Sequence, residues 1–152
     1  MKKYEFTEET IERFGVTLHR IRACKDFTLI TGTEIKAGKL GGFIEKESNL
    51  SQDENAWVSG KAVASGNAVV RGNDEVLKPN HIVVIGQIGS RDDYTTFCRN
   101  KDGGINVKCG CFNGNIEEFS KKVSETHKGN IHEQVYKLSA EIAKLQILRD
   151  DE

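Results

Sequence analysis

The sequence predicts an α+β protein, a short hexapeptide-repeat β-helix followed by a small antiparallel sheet with two C-terminal helices. Three observations carry this expectation. A six-residue phrase recurs in phase as "NAWVSG", "KAVASG" and "NAVVRG" over 55–72. Residues 81–112 read as short strands separated by glycine, and beyond Asn115 the apolar period lengthens from two to three or four.

The chain begins with two expected strands. "MKKYEF" places Tyr4 and Phe6 on one side, and "VTLHRIRACKDF" does the same with His19, Ile21 and Ala23. "KAGKLGGFIEKESNLSQDENAWVSG" then carries the Gly41-Gly42 turn into the repeat. Ala56, Ala62 and Ala68 take the second place of each hexad, Val58, Ala64, Val70 and Val76 the fourth, and Gly60, Gly66 and Gly72 close the first three. Small and aliphatic inward positions with a glycine at each corner suit a parallel β-helix, whose short strands must bend without a Cβ in the way. An alternating strand or hairpin with glycine turns is the alternative. So short a stack cannot cover its own ends and needs a cap, a following domain or further protomers.

From Pro79 the pattern changes. "HIVVIGQIG", "YTTFCRN" and "INVKCGCF" read as three strands of a meander, with "KDGG" as a turn. Asn115 can cap a first helix that carries Glu117 and Glu118 in its opening turn, and Ile116, Phe119 and Val123 on one face. Asn130 and Glu133 stand at capping-box spacing for a second, with Ile131, Val135, Leu138, Ile142 and Leu145 as one apolar stripe. Two units are therefore expected: 1–78 for assembly, and 79–152, a β-β-β-α-α module, for ligand binding.

Composition narrows the function. With 22 basic and 23 acidic residues the formal charge is -1, which argues against a general electrostatic binder of nucleic-acid polymers. No apolar run is long enough to span a bilayer, and "MKKYEFTEET" turns polar before a signal peptide could form, so a soluble, cytoplasmic protein is expected. Cys24, Cys98, Cys109 and Cys111 are expected to be reduced thiols.

The candidate site lies in "GQIGSRDDYTTFCRNKDG" and the strand after it. Gly89 and Ser90 end a strand and would leave backbone N–H groups free, Arg91 offers a fork of donors, and Thr95 and Thr96 add hydroxyls. Thr95, Phe97 and Arg99 share one face of their strand; Asn106, Lys108 and Gly110 lead toward Phe112 on one face of the next. Should those faces coincide, cations, hydroxyls and an aromatic ring converge as a nucleotide requires. The expected ligand-binding set is Ser90, Arg91, Thr95, Thr96, Arg99, Lys108 and Phe112. The competing assignment pairs Arg91 with Asp92 or Asp93 and leaves Phe112 in the core.

Other chemistry is less well supported. "CGC" with Cys98 and His127 invites a metal, but thiolate sites usually present C-x-x-C pairs. Cys109 or Cys111 with His127, or Asp92 with Asp93, could be written into a mechanism, yet no nucleophile motif or phosphate-binding loop accompanies them. Arg20, Arg22 and Lys25 read as a solvated strand face. Neither cofactor nor catalysis is expected.

"TLHRIRACKDF" and "GKLGGFIEKESNLSQDENAWVSGKAVASGNAVVRG" together resemble the N-terminal half of a family of bacterial and prophage hexapeptide-repeat proteins, over about residues 4–78. The resemblance implies a short β-helix and self-association as a trimer or hexamer. "IGSRDDYTTFCRNKDGGINVKCGCFNGNIEEFSKKVSETH" resembles the C-terminal module of such prophage proteins and, more loosely, phage immune-evasion sponges of the anti-Thoeris type. That likeness implies sequestration of a cyclic oligonucleotide or cyclic ADP-ribose derivative between subunits, without cleavage. A structural adaptor whose final helix shows an exposed apolar stripe is the alternative function, and an enzyme acting on nucleotides or acyl groups a third.

Overall fold

The computed structural model describes residues 1–13, 15–29, 32–100 and 102–149. It is a mixed α+β protein with antiparallel sheets and two helices. Lys101 of the expected "KDGG" turn and the last three residues of the expected 79–152 unit lie outside the described residues.

Strands β1 (Tyr4–Arg13) and β2 (Val16–Ala23) form a hairpin in which Tyr4 faces Ala23 and Phe6 faces Ile21. β1 runs further than "MKKYEF" suggests. The polar "TEETIER" has no alternating apolar signal of its own, but β2 supplies the ladder, and cross-strand pairs Arg22–Glu5 at 2.6 Å and Arg20–Glu9 at 3.3 Å complement it. The two-residue strands β3 (Phe27–Thr28) and β4 (Glu34–Ile35) pair antiparallel, and β5 (Leu40–Ile44) joins the edge of β2.

Beyond β5 the pairing becomes parallel. Strands β6 (Trp57–Val58), β7 (Val63–Ala64) and β8 (Glu75–Val76) are two residues each. Phe43 and Ile44 lie beside Val63 and Ala64, Leu50 beside Val70, and Trp57 and Val58 beside Glu75 and Val76. Backbone bonds close these contacts, Phe43 N to Ala62 O at 3.0 Å, Ser51 N to Val70 O at 2.9 Å and Ser59 N to Val76 O at 2.8 Å. The second and fourth hexad positions all point inward, where Ala56, Val58, Ala62, Ala64, Ala68, Val70 and Val76 are buried around Trp57. The hairpin clamps this unit: the Tyr4 hydroxyl donates to Leu50 O at 2.7 Å, and the buried Lys3 Nζ donates to Glu54 O and Ala56 O at 2.7 and 2.6 Å.

The second sheet holds β9 (Ile82–Ile88), β10 (Asp93–Arg99), β11 (Ile105–Cys109) and β12 (Phe112–Asn115) in the order β12-β11-β10-β9. This corrects the expected β-β-β-α-α count to four strands. "INVKCGCF" is not one strand, because Gly110 takes φ +57 and turns the chain back with Cys111. Alternation along β10 gives each face its own core. Phe97 packs with Ile105, Val107 and Phe119, whereas Cys98 belongs to the cluster around Trp57.

Helix α1 (Ile116–Thr126) starts in a capping box between Asn115 and Glu118. Helix α2 (Ile131–Ile147) starts at Asn130, whose side chain accepts from the N–H groups of His132 and Glu133. α2 buries Tyr136, Ser139, Ala140, Ala143 and Ile147, not the stripe that marks it in the sequence. None of the described helices is long and apolar enough to cross a membrane.

Candidate functional site

The turn from β9 to β10 sets the first group. Gly89 has φ +80, and a Cβ there would stand 1.8 Å from the Tyr136 hydroxyl, so only glycine fits. The Tyr136 oxygen takes the Ser90 backbone N–H and bonds to the Cys109 thiol; burial, then the neighbouring thiol, pushes its pKa up. The Asp92 N–H donates to Gly89 O at 3.3 Å. The Ser90 amide is therefore engaged within the protein, which corrects the expectation of a free N–H at that residue. What the turn does present is three exposed side chains, Ser90, Arg91 and Asp92.

Arg91 meets Lys108 at the next turn. Its Nη1 lies 3.6 Å from the position a Cβ on Gly110 would take, and Lys108 Nζ donates to Gly110 O at 3.3 Å. Thr96 stands opposite Lys108 across the ladder. Lys108 and Thr96 share a cavity of about 190 Å³ with Asn67, Asp93, Tyr94 and Gly110. Among the described residues, neither Arg91 nor Lys108 has a carboxylate within 4.0 Å, so the assignment of Arg91 to Asp92 or Asp93 does not hold.

The remaining expected residues do not join them. Residues directly paired across antiparallel strands share a face. Thr95 pairs with Cys109 and Thr96 with Lys108, so Thr95 and Lys108 project from opposite faces. Thr95 is fully buried and donates to Cys109 Sγ at 3.3 Å. Phe112 lies on that same helix-facing side, 5.5 Å from the Phe119 ring centroid. Arg99 ends β10, six residues and about 20 Å from its start, which keeps the two arginines from one phosphate. The expected convergence of all seven residues is thus corrected: Thr96 and Lys108 line one cavity at Gly110, Arg91 reaches Gly110 from the neighbouring turn, and Ser90 stays beside Arg91 on that turn.

The thiols also diverge. Cys98 faces the first core, Cys109 the helices, and Cys111 sits exposed in the turn. Among the described residues, no group of three or more His, Cys, Asp or Glu side chains is placed to hold a metal ion. Cys109 and His127 line one apolar cavity of about 140 Å³, but the sulfur of Cys109 is committed to Thr95 and Tyr136.

A cleft of about 720 Å³ was not legible in the sequence. Asp53, Glu54, Arg71, Asp102 and Glu118 line it together with asparagines from both sheets. On its floor Asn106 Nδ2 donates to Asp74 Oδ1 at 2.8 Å and to Asn73 Oδ1. Burial raises the Asp74 pKa to about 6 against hydrogen bonds from Arg71 N and Asn106 that lower it, and burial with Asp74 pushes the Cys98 thiol up. Four carboxylates against one guanidinium repel a phosphate and suit a neutral, hydroxyl-rich or cationic guest. The one sequence signal was the density of asparagine at 55, 73, 100, 106, 113 and 115.

The chain finds no significant match among protein-family models, curated proteins or solved structures.

Proposed function

We propose that the protein is a non-catalytic binder of a small anionic ligand, a nucleotide held by its phosphate where Arg91 and Lys108 meet at Gly110. We also propose that residues 40–78 form two coils of a short β-helix that assembles protomers. The observation that carries the first reading is that Arg91 and Lys108 both reach Gly110, Lys108 beside Thr96, with neither cation paired, among the described residues, to a carboxylate within 4.0 Å although Asp93 lines the same cavity as Lys108. Charge-assisted bonds of this kind are the strong ones, and Arg adds a planar fork.

The cavity of about 190 Å³ is small beside the 300–1,000 Å³, roughly, of drug-sized ligand sites, so it takes a phosphoryl group and leaves the nucleoside outside. A second protomer closing over the nucleoside completes the site, which is why assembly belongs to the mechanism. The β-helix reading is supported by three parallel contacts in succession, 43–44 on 63–64, 50 on 70, and 57–58 on 75–76, one for each side of a coil. The reading as a phage-encoded sponge for an immune signal in the host cytoplasm rests on the resemblance given above.

Native mass spectrometry against cyclic dinucleotides, cyclic trinucleotides and ADP-ribose derivatives tests the proposal. One class is expected to bind intact at fixed stoichiometry, and Arg91→Ala with Lys108→Ala to weaken it at least tenfold. Equal binding by the double variant, or binding of none of the three, overturns it.

A second reading, a structural adaptor, is favoured by one observation. Ile131, Leu138, Ile142 and Leu145 on α2 are 62, 65, 55 and 74% exposed.

A further inference from the structure

The exposed side chains of α2 are spaced as a seam. Ile131, Val135, Leu138, Ile142 and Leu145 follow one another at intervals of four, three, four and three. That is the 3.5-residue average of a left-handed coiled coil, with Ile131, Leu138 and Leu145 at d and Val135 and Ile142 at a. The helix packs on its own protein by other residues, Tyr136, Ser139, Ala140, Ala143 and Ile147. The two faces are centred roughly a third of a turn apart at 100° per residue, which leaves room for another helix without displacing α2 from its sheet.

We propose that α2 is one strand of a parallel, two-stranded coiled coil whose other strand is α2 of a second copy of this chain. Three features select that occupant. β-branched Val135 and Ile142 at a with leucine at two of the three d positions favour two parallel strands, and the copy is a helix certain to carry the complementary pattern. The flanks of the seam are nearly neutral. In parallel register Glu141 faces Gln146 of the copy and Gln134 stands on the flank where Ser139 is buried against its own protein, so no like charges oppose, while Lys137 and Lys144 are engaged by Glu133 and Glu141 on the same helix. The area is also right. Four aliphatic side chains so exposed leave on the order of 450 Å² of apolar face, in the upper range for a monomer. With its polar flanks this approaches the roughly 800 Å² per partner of a standard interface.

The inference stands apart from the anion reading, since loss of nucleotide binding leaves it untouched. Sedimentation equilibrium of the full chain, at tens of micromolar, compares the wild type with Leu138→Glu/Ile142→Glu. Both positions are exposed, and far-UV circular dichroism checks that the variant is folded. The wild type is expected at an even multiple of the 16.9 kDa chain mass and the variant at half that value. Equal masses, or a wild-type monomer, would overturn the proposal, the latter assigning the face to a different protein.

Orientation is read by oxidation. Ile131→Cys is expected to cross-link to itself beyond the wild-type background from Cys111. Cross-linking only in mixtures with Leu145→Cys would overturn the parallel geometry.

Discussion

Replacing Gly42 by alanine tests whether the parallel contacts hold the N-terminal unit together. A Cβ on Gly42 would stand 2.6 Å from Ala62 O and 2.7 Å from Val58 Cγ1. Neither neighbour can swing aside, because Ala62 O accepts from Phe43 N at 3.0 Å and Val58 is fully buried. Relief requires the segments to part by over half an ångström, which loosens that bond and the next, Glu45 N to Ala64 O at 3.1 Å. Overpacking costs about 1–3 kcal/mol and each weakened bond up to about 1 kcal/mol, so we expect a loss of about 2–4 kcal/mol. At roughly 2–4 °C per kcal/mol for a chain of this size, Tm falls by about 5–15 °C. The single tryptophan, Trp57, is buried in the same cluster and reports the melt by fluorescence. Gly104→Ala is the control, since its Cβ would meet nothing closer than Asn100 Nδ2 at 3.4 Å. A Gly42→Ala melt within about 2 °C of wild type refutes the reasoning.

Two further substitutions probe other parts of the molecule. Asp74 titrates near 6 when folded against 3.8 as a free side chain, so its contribution is fully present below pH 3.8 and is lost as pH rises through 6. Wild type should therefore lose about 2 kcal/mol relative to Asp74→Asn between pH 4 and 7. Urea denaturation of both proteins at each pH measures this, and a pH-independent gap between them contradicts it. Asn115→Ala removes a cap that accepts from Glu118 N at 2.8 Å and should cost about 1 kcal/mol, whereas Asn115→Asp should be nearly neutral. An unchanged urea midpoint for Asn115→Ala would show that the cap contributes nothing.

What was readable in the sequence was local. The capping box at Asn115 and Glu118 involves residues three apart, and the inward alanines and valines of the hexads repeat at a fixed interval. What escaped depends on pairing between distant segments. Whether Thr95 and Lys108 share a face is decided by register, and a slip of one residue reverses the answer. Gly110 sits in an alternating run, and only its positive φ divides that run into β11 and β12. On α2 the large aliphatics draw the eye, yet the sheet packs against Ala140 and Ala143, whose small side chains let the helix come close. The polar cleft joins 53–55 to 100–118, residues with no common motif.

The two passes of parallel pairing differ in length. Seven residues, Ser51–Trp57, join Leu50 to Val58, whereas five, Arg71–Glu75, join their partners Val70 and Val76. The longer corner supplies Asp53, Glu54 and Asn55 to the wall of the large cleft. Its two additional residues are absorbed outside the ladder, since the flanking pairs keep their hydrogen bonds. The corner also serves the scaffold, because Gln52 Oε1 accepts from Lys3 N at 2.8 Å and Glu54 O from Lys3 Nζ at 2.7 Å. A lineage, or a library, can therefore change the side chains of Asp53 and Asn55 and present a new surface to the cleft while Gln52 and the backbone of Glu54 go on holding the hairpin, which makes those two positions the natural place to alter what the cleft recognises.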